Sequence, residues 1–184
     1  LEISDMTELP SISVAPGNQL SASERQEIIT LCTRAYEEDF APLFETFDTP
    51  THLMGRVEAR LVSHALWVTR WLQVGLSAPL RTAYVEAVAT DEAFRRRGYA
   101  SALLRRLAQE ITDYDLGGLS PSDPGFYERL DWELWQGPLF VRKGAELLPS
   151  PRDEQVMILR LRATPPTIDL TASLSAEWRE GELW

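Results

Sequence analysis

The stretch 91–99 separates two different hydrophobic periods, and its residues suit the binding of phosphate. Before it, Tyr84, Val85, Val88 and Thr90 have strand propensity; after it, Leu103, Leu104, Leu107, Ala108 and Ile111 recur at helical spacing. A helix that starts inside this stretch leaves its first amides without intrahelical partners, and the macrodipole adds partial positive charge there. Such an end receives phosphate oxygens. Gly98 lets a diphosphate approach the backbone, where a side chain would hold it away. Arg95, Arg96 and Arg97 add charge on the approach, and a guanidinium binds phosphate bidentately. The same stretch also reads as a helix that merely follows a basic loop.

Two further side chains carry acid–base chemistry. Glu86 shares a strand face with Tyr84 and Val88 by alternation. A carboxylate set among apolar residues either binds a cation or acts as a base through water, the alternative being an exposed strand Glu. Tyr127, in Gly125-Phe-Tyr-Glu-Arg-Leu-Asp-Trp132, sits on a short helix followed by a strand and is the candidate proton donor, with core packing as its other reading. Cys32 falls on the buried side of a helix and reads as packing rather than a nucleophile. His52 and His64 are too few and too isolated for zinc and read as ordinary strand residues, so no metal is expected.

These groups need elements to position them. Residues 1–17 read as a tail or one short strand near Ile12-Ser-Val14. A helix opens at Ser21-Ala-Ser-Glu-Arg25, with Ile28, Ile29, Leu31, Cys32 and Ala35 as its apolar face, and ends by Asp39. Phe40, Leu43, Phe44 and Phe47 are too dense for a solvated loop, so 40–50 lines a pocket, meets a subunit or joins the core. Strands are expected at 51–57, 60–75 and 80–90, the phosphate-binding helix at 96–112, and a short strand at 114–119. A short helix at 126–130, strands at 132–142 and 155–162, a polar loop at 143–154 and an extended tail at 164–184 complete one α/β domain spanning 1–184.

Composition narrows the partners. A net charge of −10 disfavours nucleic acid and anionic membranes and suits a cationic ligand, although acidity also serves solubility. No apolar run approaches bilayer length and no basic-then-apolar leader opens the sequence, so a cytoplasmic location is expected.

The spacing Arg95-x-x-Gly98-x-Ala100 after a strand resembles the signature of the GNAT superfamily of N-acetyltransferases. The resemblance implies a mixed α/β fold, with a twisted sheet of about six to seven strands and about four helices. It also implies acetyl-coenzyme A as cofactor, its diphosphate on the amides at 95–100 and its pantetheine arm along Val88, Ala89 and Thr90. Over nearly its whole length the chain is further similar to the aminoglycoside 2'-N-acetyltransferases. Ala35-Tyr-Glu-Glu-Asp-Phe40, Tyr84-Val-Glu-Ala-Val-Ala89, Phe126-Tyr-Glu-Arg-Leu-Asp-Trp132 with Trp135-Gln-Gly-Pro138, and Glu177-Trp-Arg-Glu-Gly-Glu-Leu-Trp184 carry that likeness. It implies acetylation of a cationic aminoglycoside at its 2' amine by direct transfer, with Glu86 and Tyr127 as catalytic residues. It assigns Asp39, Glu86, Ala87, Ser120, Asp153, Glu182 and Trp184, with a free carboxylate at that Trp, to the antibiotic site, and suggests a homodimer.

One departure bears on the substrate. Where the family carries a second Asp after the position of Asp39, this sequence has Phe44, or Glu45 after a one-residue shift. A less anionic pocket there points to a smaller antibiotic with fewer amines, kasugamycin being the specific expectation. The loop 120–127 is also shorter than the family pattern. Transfer to a polyamine or a protein amino terminus, and a binding module without turnover, are the competing readings.

Overall fold

A computed structural model describes residues 9–184; the part of the expected tail at residues 1–8 lies outside the described residues. The short strand expected near Ile12 is β1 (Ser11–Pro16), antiparallel to β2 (Thr51–Val57). Between them α1 (Ala22–Tyr36) opens with a capping box. The Glu24 amide donates to Ser21 Oγ at 3.2 Å and the Ser21 amide donates to the Glu24 carboxylate at 2.9 Å. Glu37, at a φ of 58°, turns the chain out of the helix. The short helix α2 (Ala41–Phe44) follows.

The sheet is organised by β3 (Arg60–Val74), whose length lets three strands use it. β2 pairs with its first half and β10 (Leu174–Glu177) with its end, while β4 (Leu80–Thr90) takes the opposite edge. After β4 the chain crosses through α3 (Tyr99–Glu110) and returns as β5 (Leu116–Leu119), parallel to β4. Leu103, Leu104, Leu107 and Ile111 are fully buried with Leu53, Ala65, Trp67 and Val85 on that face. Full burial of each such aliphatic chain contributes about 1.5–3 kcal/mol. On the other face Ile28, Leu31 and Cys32 of α1 join Leu66, Val68 and Leu72 of β3.

The remaining elements are α4 (Pro124–Glu128), β6 (Glu133–Leu134), β7 (Leu139–Lys143), β8 (Glu146–Pro149) and β9 (Met157–Arg160). The main path runs β6-β9-β5-β4-β3-β10-β7-β8, with β1 and β2 branching from β3. The fold is the expected mixed α/β arrangement, with four α-helices among the described residues, but ten strands among them rather than six or seven. The extra strands come from three segments read more simply in the sequence. The strand expected at 132–142 is two, because the amides of Gln136 and Gly137 both turn to the Leu170 carbonyl at 2.9 Å and Pro138 has no N–H to give. The expected loop 143–154 contains β8, an exposed edge strand. The tail contains β10, parallel to β7 and antiparallel to β3.

Two features of β4 prepare the site. Its parallel pairing with β5 covers Thr82–Tyr84 only, so the strand continues to Thr90 with no neighbour on that side and a gap opens. Its pairing with β3 shifts register between His64 and Leu66, opposite a bulge at Ala87, whose φ is 53°.

Candidate active site

The gap beside β4 holds two adjoining cavities. One, of about 620 Å³, is lined by Thr90, Phe94, Arg95, Arg96, Gly98, Tyr99, Ala100, Ser101 and Arg105, with Phe126 and Arg129 also on its wall. α3 begins at Gly98, whose φ is 80°, and no side chain among the described residues caps its first amides. In α1, by contrast, Ser21 and Glu24 occupy that position. Arg96 also adopts a positive φ, 61°, so the backbone turns sharply twice before the helix. A Cβ built on Gly98 meets nothing within 4 Å among the described residues, which leaves the space above the amides open. Uncapped amides, open space and guanidinium groups fit a diphosphate.

The second cavity, of about 250 Å³, lies further along β4 and α4. Glu86, Ala87 and Val88 form one wall, Ser120, Ser122 and Tyr127 another, and Glu182 and Trp184 a third. Tyr36, Glu38, Phe40 and Leu43 complete it. Consecutive residues of α4 serve both cavities: Phe126 faces the first and Tyr127 the second, their rings edge to face at 5.0 Å.

The electrostatics of the second cavity are specific. Burial pushes the Glu86 carboxyl up despite its ion pair with Arg179, which pulls it down. Arg179 also donates to the Glu182 carbonyl and lies over the Tyr84 ring at 5.6 Å. Arg70, 1 % exposed, donates to the carbonyls of Leu183 and Glu177 at 2.7 Å each and so ties the tail to β3. Trp184 is buried and its Nε1 donates to Ser150 Oγ at 2.7 Å. Burial, with Asp123 nearby, pushes the Tyr127 phenol up to about 12, so it is fully protonated near neutral pH.

A profile described as an acetyltransferase (GNAT) domain matches residues 18–135. An aminoglycoside 2'-N-acetyltransferase of Mycolicibacterium fortuitum is 32% identical over 178 residues, covering 91% of this chain and 88% of that protein. The chain belongs to this family of GNAT acetyltransferases. Solved GNAT structures share its fold. The Escherichia coli GNAT family N-acetyltransferase YhbS, in complex with CoA, superposes with a TM-score of 0.64 at 16% identity over 94% of this chain and 92% of that one. Eis1 of Mycobacterium abscessus gives 0.58 at 22% identity over 70% of this chain, which spans only 32% of Eis1. GNAT acetyltransferases use acetyl-coenzyme A, and the first cavity has the chemistry for its diphosphate.

Against the GNAT pattern, the predicted site residues divide. Arg95, Arg96, Gly98, Tyr99, Ala100 and Thr90 line the first cavity. Arg97 instead stacks over Phe94 at 5.2 Å, and Ala89 is buried with its carbonyl accepting from Ser63 Oγ at 3.2 Å. Glu86, Ala87, Val88, Ser120, Tyr127, Glu182 and Trp184 meet in the second. Asp39 does not line it: its carboxylate accepts from the Ala41 amide at 3.1 Å, and Glu38 takes the place. Phe44 is buried against His52 and beneath Arg25, while Glu45 is exposed and paired with Arg25. α2 turns both away from the cavity and presents Phe40 and Leu43 to it. Asp153 is exposed; its neighbour Glu154 holds Ser120 Oγ at 2.9 Å.

Sequence reasoning missed Tyr36, whose hydroxyl donates to the Val88 carbonyl at 2.9 Å, and also Glu38, Arg105, Arg129 and Arg179. Tyr36 and Glu38 sat inside the quoted acidic segment, and Arg179 inside the quoted ending, so the signal was present without a partner to give it meaning. No group of three or more His, Cys, Asp or Glu with metal-binding geometry occurs among the described residues. No helix among them is long and apolar enough to cross a membrane.

Proposed function

We propose that this protein acetylates the 2' amine of an aminoglycoside, using acetyl-coenzyme A, by direct transfer within a ternary complex. The observation that carries the reading is the convergence of Glu86, Tyr127, Glu182 and Trp184 on one cavity beside an uncapped helix start. The relative from Mycolicibacterium fortuitum supports the choice of acceptor. When bound, acetyl-coenzyme A supplies an activated thioester carbonyl. The chain's residues do the rest. Arg95, Arg96 and the first amides of α3 hold the diphosphate, which leaves β4 to guide the reactive end toward Glu86 and Tyr127.

Glu86 and Glu182 attract the ammonium groups of the acceptor, and the Trp184 face holds a sugar ring or a cation. Neighbouring charges on the acceptor depress the pKa of its target amine, and Glu86 takes up the proton directly or through water. Tyr127 donates its hydroxyl proton toward the departing sulfur. A phenol raised to about 12 is a weaker acid than a thiol of about 8.5, so it acts by hydrogen bonding as charge builds and is quickly reprotonated afterwards. Tyr127→Phe is expected to lower turnover by on the order of 10²-fold with little change in acceptor affinity. An unchanged rate would remove Tyr127 from the mechanism.

Kasugamycin remains the specific acceptor we propose, on a revised basis. Phe44 does not face the cavity, but Phe40, Leu43 and Trp184 make part of its wall apolar, and Arg179 engages one of its carboxylates. The deciding measurement is thiol release from acetyl-coenzyme A with kanamycin, gentamicin, tobramycin, kasugamycin, spermidine and a peptide, with NMR locating the new amide. Acetylation of spermidine or peptide alone would overturn the assignment of the acceptor. A cytoplasmic homodimer completes the proposal; light scattering of the purified protein tests the dimer.

A further inference from the structure

We propose that His64 is a positioning residue for acetyl transfer, acting through the Ala87 carbonyl to set the direction of the Val88 N–H. The inference rests on the acetyl-transfer reading above, not on the identity of the acceptor. His64 pairs with Ala89 and Leu66 with Glu86, so β4 carries one residue more than β3 across this interval. Neither Ala87 nor Val88 has a partner across the ladder. Ala87 also has a φ of 53°, in the left-handed region that an L side chain disfavours. A bulge of this kind persists where its surroundings hold it.

Its anchor is a buried relay of two imidazoles. His64 Nδ1 lies 2.9 Å from the Ala87 oxygen. A carbonyl only accepts, so Nδ1 carries the proton and, in a neutral ring, Nε2 is bare. His52 Nδ1 lies 2.9 Å from that Nε2 and must donate to it. His52 Nε2 is then bare in turn, and it is buried with no hydrogen-bond partner among the described residues. Both rings are wholly buried, and Cys32 Sγ lies 3.8 Å from His64 Nδ1. Each tautomer is thus fixed by its neighbour.

The consequence follows from peptide geometry. The unit joining Ala87 to Val88 is planar and trans, so its N–H points opposite to its C=O. Since His64 draws the carbonyl toward itself, the Val88 N–H is aimed away from His64, on a residue that lines the acceptor cavity with Glu86 and Tyr127. The next carbonyl, Val88 O, is held by Tyr36 Oη at 2.9 Å, so the following peptide plane is fixed as well. A donor held rigidly in this way stabilises charge developing on the acetyl oxygen without reorganising.

The test separates this role from packing. Asparagine places an amide nitrogen as many bonds from Cβ as Nδ1, and so keeps a donor for Ala87; leucine fills the space without one. His64→Leu is expected to lower kcat by about 10- to 100-fold with KM values within about twofold. It should also return the carbonyl stretch of bound [1-13C]acetyl-coenzyme A toward its value in solution. His64→Asn should restore both. If His64→Leu fails to fold, His64→Gln serves, because its amide nitrogen matches Nε2 rather than Nδ1 and leaves Ala87 without a donor. Without any ligand, 15N NMR of the native protein should find the proton of both rings on Nδ1. Protons on Nε2, a carbonyl stretch unaltered in the donorless variant, or an Asn variant as impaired as that variant would each overturn the proposal. Failure of the whole acceptor panel would instead sink the aminoglycoside reading and leave the carbonyl stretch to judge this one.

Discussion

Glu86 meets Arg179 at the second cavity, and under the proposed function the pair sets two demands on a cationic acceptor. An incoming ammonium must share or displace a guanidinium already on the carboxylate. That carboxylate must also be ionised in spite of its burial. Burial raises the Glu86 pKa, and the largest opposing influence is the charge of Arg179. Arg179→Gln removes the opposing charge and keeps a polar group of similar reach. The acid limb of the pH dependence of kcat/KM is therefore expected to move to higher pH in this variant. A limb that stays in place would mean that Glu86 is not the group being titrated.

At the scale of elements, the turn that splits the expected strand 132–142 is as consequential as the strands themselves. The amides of Gln136 and Gly137 converge on the Leu170 carbonyl, and Trp135 Nε1 donates to the Ala172 carbonyl at 2.9 Å. The backbone passes so close that a Cβ on Gly137 would lie 1.9 Å from the Ala172 oxygen and 2.6 Å from that of Thr171. Both obstacles are main chain, so relief requires moving the segment that leads into β10. Gly137→Ala is expected to destabilise the protein by about 3 kcal/mol, lowering the melting temperature by roughly 6–12 °C. Calorimetry would check this, and a melting temperature within a degree of the parent would show that the segment yields easily.

For the whole molecule, the buried histidines tie stability to acidity. Burial, with Arg25 as a lesser cause at His52, lowers the pKa values of His52 and His64 from 6.5 to about 4 and about 3. In the unfolded chain both rings take up protons below about 6.5; in the folded protein they stay neutral until far lower pH. Their contribution is therefore complete above 6.5 and is lost as pH falls from there toward 4. Each histidine removes about 1.4 kcal/mol per pH unit across most of that window. Glu86, raised by burial, works in the opposite sense. Urea unfolding between pH 7 and 4.5 should show a steep decline, and His64→Asn should make it shallower by about one proton's worth.

The parts of the site legible in the sequence were those fixed by local spacing or carried by resemblance. The change of hydrophobic period around 91–99 located an uncapped helix start, because period and glycine placement act through the backbone torsions of neighbouring residues. Strand alternation put Glu86 on the Tyr84 face, but the bulge at Ala87 carries Val88 to the opposite core, and likeness to a known ending drew attention to Glu182 and Trp184. Tertiary structure alone decided which of several acidic or aromatic neighbours faces inward: Glu38 rather than Asp39, Phe40 and Leu43 rather than Phe44 and Glu45. It also decided the partnerships, Arg179 with Glu86 across 93 residues and Tyr36 with Val88 across 52. Such pairings depend on how α1 packs on β4 and how β10 lies beside β3, and tertiary packing brings together residues whose separation along the chain leaves no periodic trace.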